Sequence, residues 1–214
     1  MISGVLFDMD GVLVDSESLI SRAAILMFSE HGLDVNPEDF FPFVGTGENM
    51  YIGGVASKYG LNIDIVKAKA RVYQIYEAIA KDNLNPLPGV NEFISRCKSH
   101  NLRLALATSA DRFKMEINLR EINLPAGLFY SIVTGEDVIN KKPFPDIYIR
   151  AARNLGLNTS ECLVVEDAVS GIRAAKSAGC RCLAVTTSFA ASSLSEADWI
   201  CTTLADAPDE AIQW

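Results

Sequence analysis

The sequence lacks the features that mark membrane-spanning, secreted and nucleic-acid-binding proteins. No apolar stretch approaches the roughly 18 residues that a membrane span needs, and the first residues carry no basic segment of a signal peptide. No basic run occurs, and the formal charge is −8, from 19 Lys and Arg against 27 Asp and Glu. The five cysteines never form a Cys-x-x-Cys pair, which indicates buried, reduced thiols. We therefore expect a soluble, cytoplasmic protein that binds neither nucleic acid nor membrane.

The composition is that of a folded globular protein. The chain has 214 residues, of which 49% are hydrophobic and 21% charged, enough to bury the core of one large or two small domains. Because the chain is acidic, an anionic substrate would need positive charge supplied locally, by a metal ion, by one or two lysines and by backbone N–H groups. Residues that supply such charge are therefore the candidates for function.

Apolar runs of strand length alternate with amphipathic helical patterns along most of the chain. The predicted strands are 4–7, 103–108, 130–134, 162–166 and 180–186. The predicted helices between the later strands are 90–99, 112–121, 146–155 and 169–178. Continuous apolar strands separated by helices predict a parallel sheet that is covered on both faces, which is a Rossmann-like, doubly wound α/β fold.

The segment 16–83 interrupts this alternation. It contains helical patterns at 19–31, 49–59 and 63–81 and no convincing strand, and a proline-rich connector at 85–89 marks the return to the alternating pattern. An insertion directly after the first strand lies over the C-terminal edge of the sheet, where open α/β folds bind ligands. We therefore predict an α/β core at 1–15 and 86–214 with an inserted helical cap at 16–85 that acts as a lid.

Four groups of polar side chains stand where predicted strands end. They are Asp8 with Asp10, Thr108 with Ser109, Lys142 in the loop after the third strand, and Glu166 with Asp167. Taken singly, each group has an ordinary structural explanation, such as a helix cap, a surface lysine or a solvated turn. Together, at one edge of a sheet, they are what phosphoryl transfer needs: a nucleophile, a donor to phosphate oxygens, a countercharge and metal ligands.

In this order the four groups resemble the motifs of the haloacid dehalogenase superfamily. The matching segments are DMDGVLVDS at 8–16, ATS at 107–109, KPFPD at 142–146 and VVEDAVSGI at 164–172. The resemblance covers essentially the whole chain, and the helical insertion is similar to the small cap of the β-phosphoglucomutase-like and phosphoglycolate-phosphatase-like branch. A match to all four motifs is specific for the superfamily and much less specific for the substrate.

The resemblance and the chemistry of the residues imply the same catalytic roles. Asp8 attacks phosphorus in line and becomes an aspartyl phosphate. Asp10 protonates the leaving oxygen and then deprotonates the water that hydrolyses this intermediate. Thr108 and Lys142 bind the phosphoryl oxygens. Lys141 is the alternative for the lysine role, and Lys142 is preferred because, like the lysine of the motif, it directly precedes a proline.

The resemblance also implies a Mg²⁺ cofactor. Mg²⁺ takes hard oxygen ligands and keeps several waters, so that Asp8, the backbone carbonyl of Asp10 and the carboxylate of Asp167 would suffice to hold it. Glu166 is a further candidate, through a direct or an outer-sphere contact.

Four residues are candidates for binding phosphate or substrate. Gly11 lets the backbone pass close to the phosphate, and Ser109 contributes its N–H or, equally well, caps the next helix. Thr46 and Glu48 of the cap are substrate contacts by family position. Their segment, Gly-Thr-Gly-Glu at 45–48, is not a dinucleotide-binding motif, because no strand precedes it and the third glycine is missing. The simpler interpretation is that it turns the chain into a helix.

Departures from the mutase pattern favour a phosphatase over a β-phosphoglucomutase. Ile20 stands where the mutases have a histidine, and 45–50 contains no arginine where they have one. Ala110 and Asp111 replace the Ser-Lys pair that grips the distal phosphate in mutases, although Arg112 is a possible partial replacement. The mutase is therefore the first alternative.

Other classes fit the sequence less well. A dehalogenase lacks the second acid that Asp10 provides, and nothing marks a cap lysine as the Schiff base of a phosphonatase. A non-catalytic phosphoaspartyl receiver would lack the cap, and a degenerate binding domain would lack a motif residue. We therefore predict a phosphatase that hydrolyses small phosphorylated metabolites, such as sugar phosphates or phosphoglycolate-like compounds, as a monomer or weak homodimer.

Overall fold

The fold is built on a parallel sheet, seen in a computed structural model that describes residues 1–43 and 47–214. These residues form six strands in the spatial order β3-β2-β1-β4-β5-β6, and each neighbouring pair is parallel. The strands are β1 (Gly4–Phe7), β2 (Arg103–Ala107), β3 (Ser131–Val133), β4 (Cys162–Glu166), β5 (Arg181–Val185) and β6 (Trp199–Cys201). The predicted Rossmann-like α/β class is confirmed.

Helices cover both faces of the sheet. The α-helices of the described residues are α1 (Glu17–Glu30), α2 (Glu48–Lys58), α3 (Ile65–Ala80), α4 (Val90–Ser99), α5 (Arg112–Glu121), α6 (Asp146–Asn154) and α7 (Val169–Ala178). Because successive side chains of a strand point to opposite faces, Phe7 packs edge-on against Phe93 of α4, while Leu6 lies in the other core with Tyr148 of α6. A strand buried on both sides must be apolar throughout, as β1 is.

The edge strand β6 and the short 3-10 helices were not predicted from the sequence. The edge strand β6 has only three residues, Trp-Ile-Cys, which is too short an apolar run to mark a strand, and its central Ile200 is exposed. A 3-10 helix, Pro37–Phe43, lies in the inserted segment and buries Phe40. The predicted strand 130–134 is shorter in the structure, where β3 spans Ser131–Val133.

The inserted helices pack on one another and beside the strand ends. Helix α1 packs along α3, α2 contacts α3 and the 3-10 helix, and the rings of Phe40 and Tyr51 stack at 4.7 Å between centroids. Val14 forms bridges with both Asp10 and Pro86, so that the chain leaves and re-enters the sheet region at adjacent points. Helix α3 also packs against α5, which brings the insertion over the C-terminal ends of the strands.

The described residues contain no helix with both the length and the apolar content to cross a membrane. All five cysteines are free, and four of them are buried.

Candidate active site

A cleft of about 900 Å³ opens between the strand ends and the inserted helices. The core side of its lining includes Asp8, Asp10, Gly11, Thr108, Ser109, Lys142, Glu166 and Asp167. The inserted segment contributes apolar and acidic side chains, among them Ile20, Glu48 and Tyr51. The structure therefore brings together the four groups of polar residues that the sequence places at separate strand ends.

Lys142 is the cation at the centre of the site. Its Nζ donates to Asp8 Oδ1 at 2.6 Å and to Glu166 Oε1 at 2.7 Å, and its side chain is only 6% exposed. Burial lowers the pKa of Lys142, but the charges of Asp8 and Glu166 outweigh this effect and raise it above the usual value. The alternative lysine, Lys141, lies instead against Gly47 of the inserted segment. Geometry therefore favours Lys142 as the countercharge.

Glu166 is held by four hydrogen bonds. Its Oε1 accepts from Lys142 and from the Tyr148 hydroxyl at 2.8 Å, and its Oε2 accepts the N–H groups of Asp167 at 2.9 Å and Ala168 at 3.0 Å. Burial raises the pKa of Glu166, but Lys142 and the hydrogen bonds bring it below the usual value. Both carboxylate oxygens are thus engaged within the protein, and the side chain fixes Lys142 in place.

Asp8 and Asp167 have less compensation for their charge. Burial and the nearby Glu166 raise the pKa of Asp167 well above its usual value, and burial raises the pKa of Asp8 to about 7 in spite of Lys142. Asp167 accepts a hydrogen bond from the Ser188 hydroxyl, which carries no charge.

This acidic cluster fits a divalent cation. Carboxylate oxygens of Asp8, Glu166 and Asp167 all lie within 4.8 Å of one another. Among the described residues the cluster has three carboxylates and one contacting cation, Lys142, so that further positive charge would be stabilising. A set of hard oxygen donors suits Mg²⁺. The cluster could therefore bind a metal ion.

The carboxylate of Asp10 faces the same cleft and is held by a separate set of donors. Its Oδ1 accepts from the Ser16 hydroxyl and from Asn118 Nδ2 at 3.2 Å, and its Oδ2 accepts from Lys114 Nζ at 3.0 Å. Lys114 and Asn118 are both buried. Burial lowers the pKa of Lys114, but the charges of Asp10 and Glu48 raise it above the usual value.

Sequence reasoning missed Lys114 and Asn118. The two residues stand four apart on α5, the spacing of neighbours on one helix face, and that face is turned toward Asp10. The available signal was a lysine and an asparagine on the otherwise apolar side of an amphipathic pattern.

Thr108 and Gly11 occupy constrained positions beside the cluster. The Thr108 hydroxyl accepts the N–H of Ala110 at 3.1 Å, which leaves its own proton to be donated into the cleft. Gly11 has φ +78°, and a Cβ placed on it would lie 1.9 Å from Asp167 Oδ2. Glycine is required there because any side chain would collide with the carboxylate.

Ser109 lines the cleft and does not cap the next helix. Helix α5 begins at Arg112, with Asp111 as its N-cap residue. Asp111 is paired with Lys69 of α3 at 2.6 Å, an ion pair between the inserted segment and the core. Arg112 pairs with Asp137 at 3.4 Å and does not line the cleft. Arg112 is therefore not placed to replace the lysine of the mutases.

The predicted substrate contacts in the inserted segment have different outcomes. Glu48 lines the cleft and is buried, and its Oε2 has no hydrogen-bond partner within residues 1–43 and 47–214. Burial raises the pKa of Glu48, and Lys114 lowers it only in part. Thr46 lies outside the described residues. Ile20, at the position of the mutase histidine, is buried against the same cleft.

Fold and site together define a class. A buried aspartate after the first strand, a second acid two residues later, a lysine bridging acids and an acid pair at the end of β4 lie together at one edge of a doubly wound sheet, an arrangement that phosphoryl transfer would require. The model of the haloacid dehalogenase-like hydrolases matches residues 5–185. The chain belongs to this family.

Named relatives agree with this assignment. The chain is 45% identical over 199 residues to Protein SUPPRESSOR OF QUENCHING 1, chloroplastic, of Arabidopsis thaliana, and the match covers 92% of this chain and 19% of that protein. It is 32% identical over 202 residues to hexitol phosphatase A of Escherichia coli (strain K12), covering 92% of this chain and 89% of the relative. The predicted family and the predicted class, phosphomonoester hydrolase, are confirmed.

A solved structure extends the likeness to the whole fold. A variant of CbbY from Rhodobacter sphaeroides in complex with xylulose-(1,5)bisphosphate superposes with a TM-score of 0.83 at 28% sequence identity, covering 96% of each chain. The relatives that are named for their substrates or ligands thus handle small phosphorylated compounds.

Proposed function

We propose that this chain is a Mg²⁺-dependent phosphatase that hydrolyses sugar phosphates or similar small phosphomonoesters by way of a phosphoryl group on Asp8. The observation that carries the proposal is the buried cluster in which Lys142 bridges Asp8 and Glu166, with Asp167 alongside. The match to hexitol phosphatase A supports a phosphorylated sugar or polyol as the substrate class.

In the first half-reaction Asp8 is the nucleophile. A carboxylate oxygen of Asp8 attacks phosphorus while Lys142 and the Thr108 hydroxyl bind the phosphoryl oxygens, and the N–H of Ser109 adds a further donor. Gly11 leaves room for the phosphate beside Asp167. Asp10, whose carboxylate faces the cleft, protonates the leaving oxygen.

In the second half-reaction Asp10 is the base. It takes a proton from the water that attacks the aspartyl phosphate, which returns Asp8 to its carboxylate form. Lys114, Asn118 and Ser16 all donate to Asp10, so that its carboxylate is held in one orientation beside the cleft. The arrangement therefore suits Asp10 for this step.

Mg²⁺ is the cofactor that suits this cluster. When bound, the ion offsets the repulsion between the nucleophilic carboxylate and the anionic phosphoryl group. Asp8, the backbone carbonyl of Asp10 and Asp167 would hold it. Glu166 already accepts four hydrogen bonds within the protein. An outer-sphere contact between Glu166 and the metal ion is therefore favoured over a direct bond.

The inserted helices serve as a cap, with 16–85 as the cap and 1–15 and 86–214 as the core. The adjacent exit and entry points at Val14 and Pro86 support this division. Glu48, with its unpartnered Oε2 inside the cleft, suits a hydroxyl of the substrate, and Thr46 is a second contact by its position in the chain. A cytoplasmic location and a monomer or weak homodimer stay predictions.

The experiment is phosphate release from a panel of sugar phosphates, polyol phosphates and phosphoglycolate, with Mg²⁺ or with EDTA, alongside isomerisation of β-glucose 1-phosphate primed by a bisphosphate. Metal-dependent release without isomerisation is the expected result, since Ile20 and Arg112 give no sign of a mutase site. Isomerisation without appreciable release would establish a mutase instead. No turnover of either kind would leave a binding domain as the better account.

A further inference from the structure

A buried chain of hydrogen bonds joins the inserted helix α3 to the carboxylate of Asp10. The Tyr76 hydroxyl of α3 donates to Asn118 Oδ1 of α5, and Asn118 Nδ2 donates onward to Asp10 Oδ1 at 3.2 Å. Tyr76 and Asn118 are both 0% exposed. Lys114 engages the other oxygen of the same carboxylate at 3.0 Å. Two polar side chains are thus fully buried between helices, where apolar residues would ordinarily pack.

The direction of these bonds is determined by Asp10. Both oxygens of Asp10 act as acceptors, from Ser16 and Lys114 as well as from Asn118, so the Asn118 amide presents its Nδ2 end to Asp10. Its Oδ1 end then faces α3, where it would be a buried acceptor without a donor if Tyr76 lacked its hydroxyl. A buried acceptor without a donor costs free energy, and the Asn118 amide could avoid this cost by rotating away from Asp10. Tyr76 therefore keeps Asn118 in the orientation that Asp10 needs.

We propose that Asn118 is a positioning residue that aims the carboxylate of Asp10 at the hydrolytic water, and that Tyr76 of the inserted helix holds Asn118 in place. The inference rests on the proposed phosphatase function. In the step concerned, the water oxygen bonds to phosphorus and the bond between phosphorus and the Asp8 oxygen breaks. The water proton passes to Asp10, and inorganic phosphate and the Asp8 carboxylate are released.

The test separates the two half-reactions with 4-nitrophenyl phosphate. Its leaving group departs as a stable anion and needs little help from an acid, so kcat/KM reports the transfer to Asp8, whereas kcat also contains the hydrolysis of the aspartyl phosphate. For Tyr76→Phe we expect kcat to fall about 10-fold, as for loss of one oriented hydrogen bond, with kcat/KM unchanged within about twofold. Stopped-flow traces should show a burst of nitrophenolate, and acid quenching should trap more phosphoryl-enzyme than in the wild type.

Two further variants keep the test decisive. Asn118→Ala removes the donor itself and should give the same split with a larger fall in kcat, which serves if Tyr76→Phe fails to fold. Tyr73→Phe is the matched control, because the Tyr73 hydroxyl is buried on the same helix without a hydrogen-bond partner in the described part of the chain. Its kinetics should equal those of the wild type.

Different results would refute the positioning role of Asn118 and Tyr76 and the proposed phosphatase function. If kcat and kcat/KM fell together without a burst, Asn118 and Tyr76 would have a structural role only, and the inference would be overturned while the phosphatase function stood. If the wild type released phosphate from no ester in the presence of Mg²⁺, the proposed function would fall and this inference with it.

Discussion

The stabilisation of the fold by Mg²⁺ should depend on Asp167. This carboxylate is 5% exposed and lies beside the carboxylates of Asp8 and Glu166, with the neutral Ser188 hydroxyl as its hydrogen-bond donor. Without a cation it is a source of repulsion inside the protein. Asparagine has almost the same shape and removes the charge, so Asp167→Asn should fold well but bind Mg²⁺ weakly.

The size of the Tm change follows from the linkage between Mg²⁺ binding and folding. A ligand that binds only the folded state at 100 times its Kd stabilises that state by about 2.7 kcal/mol. For a chain of this length, about 1 kcal/mol corresponds to about 2–4 °C in Tm, so saturating Mg²⁺ should raise the wild-type Tm by about 5–10 °C. The Tm of Asp167→Asn should rise by less than about 2 °C. In EDTA the variant should be at least as stable as the wild type, because the uncompensated charge is gone.

Calorimetric melting curves of both proteins, in EDTA and in Mg²⁺, provide the assay. Asp34→Asn is the matched control, since Asp34 is an exposed acid of the inserted segment, and its response to Mg²⁺ should equal that of the wild type. An equal rise in Tm for Asp167→Asn and the wild type would refute the assignment of Asp167 as a metal ligand.

Two further substitutions have defined outcomes. A Cβ on Gly171 would lie 1.7 Å from Glu166 Oε1, so Gly171→Ala should displace Glu166 and lower kcat/KM by about 100-fold, the scale of a lost charge-stabilising group. Gly53→Ala, where the added Cβ makes only ordinary contact, should retain full activity; equal activity of both variants would contradict the role of Glu166. Hydrogen bonds from Lys58 and a neighbouring tyrosine lower the pKa of Asp39 from 3.8 to about 2. The ionised form is therefore the stabilising one, and its contribution is present above about pH 4 and is lost as the pH falls toward about 2. Urea unfolding should show Asp39→Asn less stable than the wild type at about pH 6 and the difference reduced at about pH 3, whereas a difference independent of pH would contradict this account.

The sheet could be predicted where its strands are buried on both faces. The segments 4–7 and 162–165 are continuous apolar runs, and the structure has strands at these positions. The edge strand β6 could not be found in this way, because an edge strand is half exposed and its three residues do not distinguish it from a loop. The position of the inserted helices over the strand ends followed from their place in the chain alone.

The candidate site could be predicted as far as each group depends on the end of a strand. The carboxyl ends of parallel strands meet at one edge, so Asp8, Lys142 and Asp167 could be expected together. The polar residues Lys114 and Asn118 on the apolar side of α5 could have been noticed, but their partner Asp10 could not be predicted, because the contact depends on how α5 packs against the strand ends. The saturation of Glu166 by four donors is likewise a result of tertiary packing.

Covalent catalysis by Asp8 is tested most directly by trapping the phosphoryl-enzyme. The protein is mixed with Mg²⁺ and a substrate found in the panel of phosphate esters, quenched in acid within milliseconds and digested, and the peptides are analysed by mass spectrometry. We expect a phosphoryl group on the peptide that contains Asp8, and Asp8→Asn should show neither this group nor turnover while keeping the wild-type Tm in EDTA within a few degrees. Mg²⁺-dependent phosphate release by Asp8→Asn at the wild-type rate would contradict covalent catalysis by Asp8.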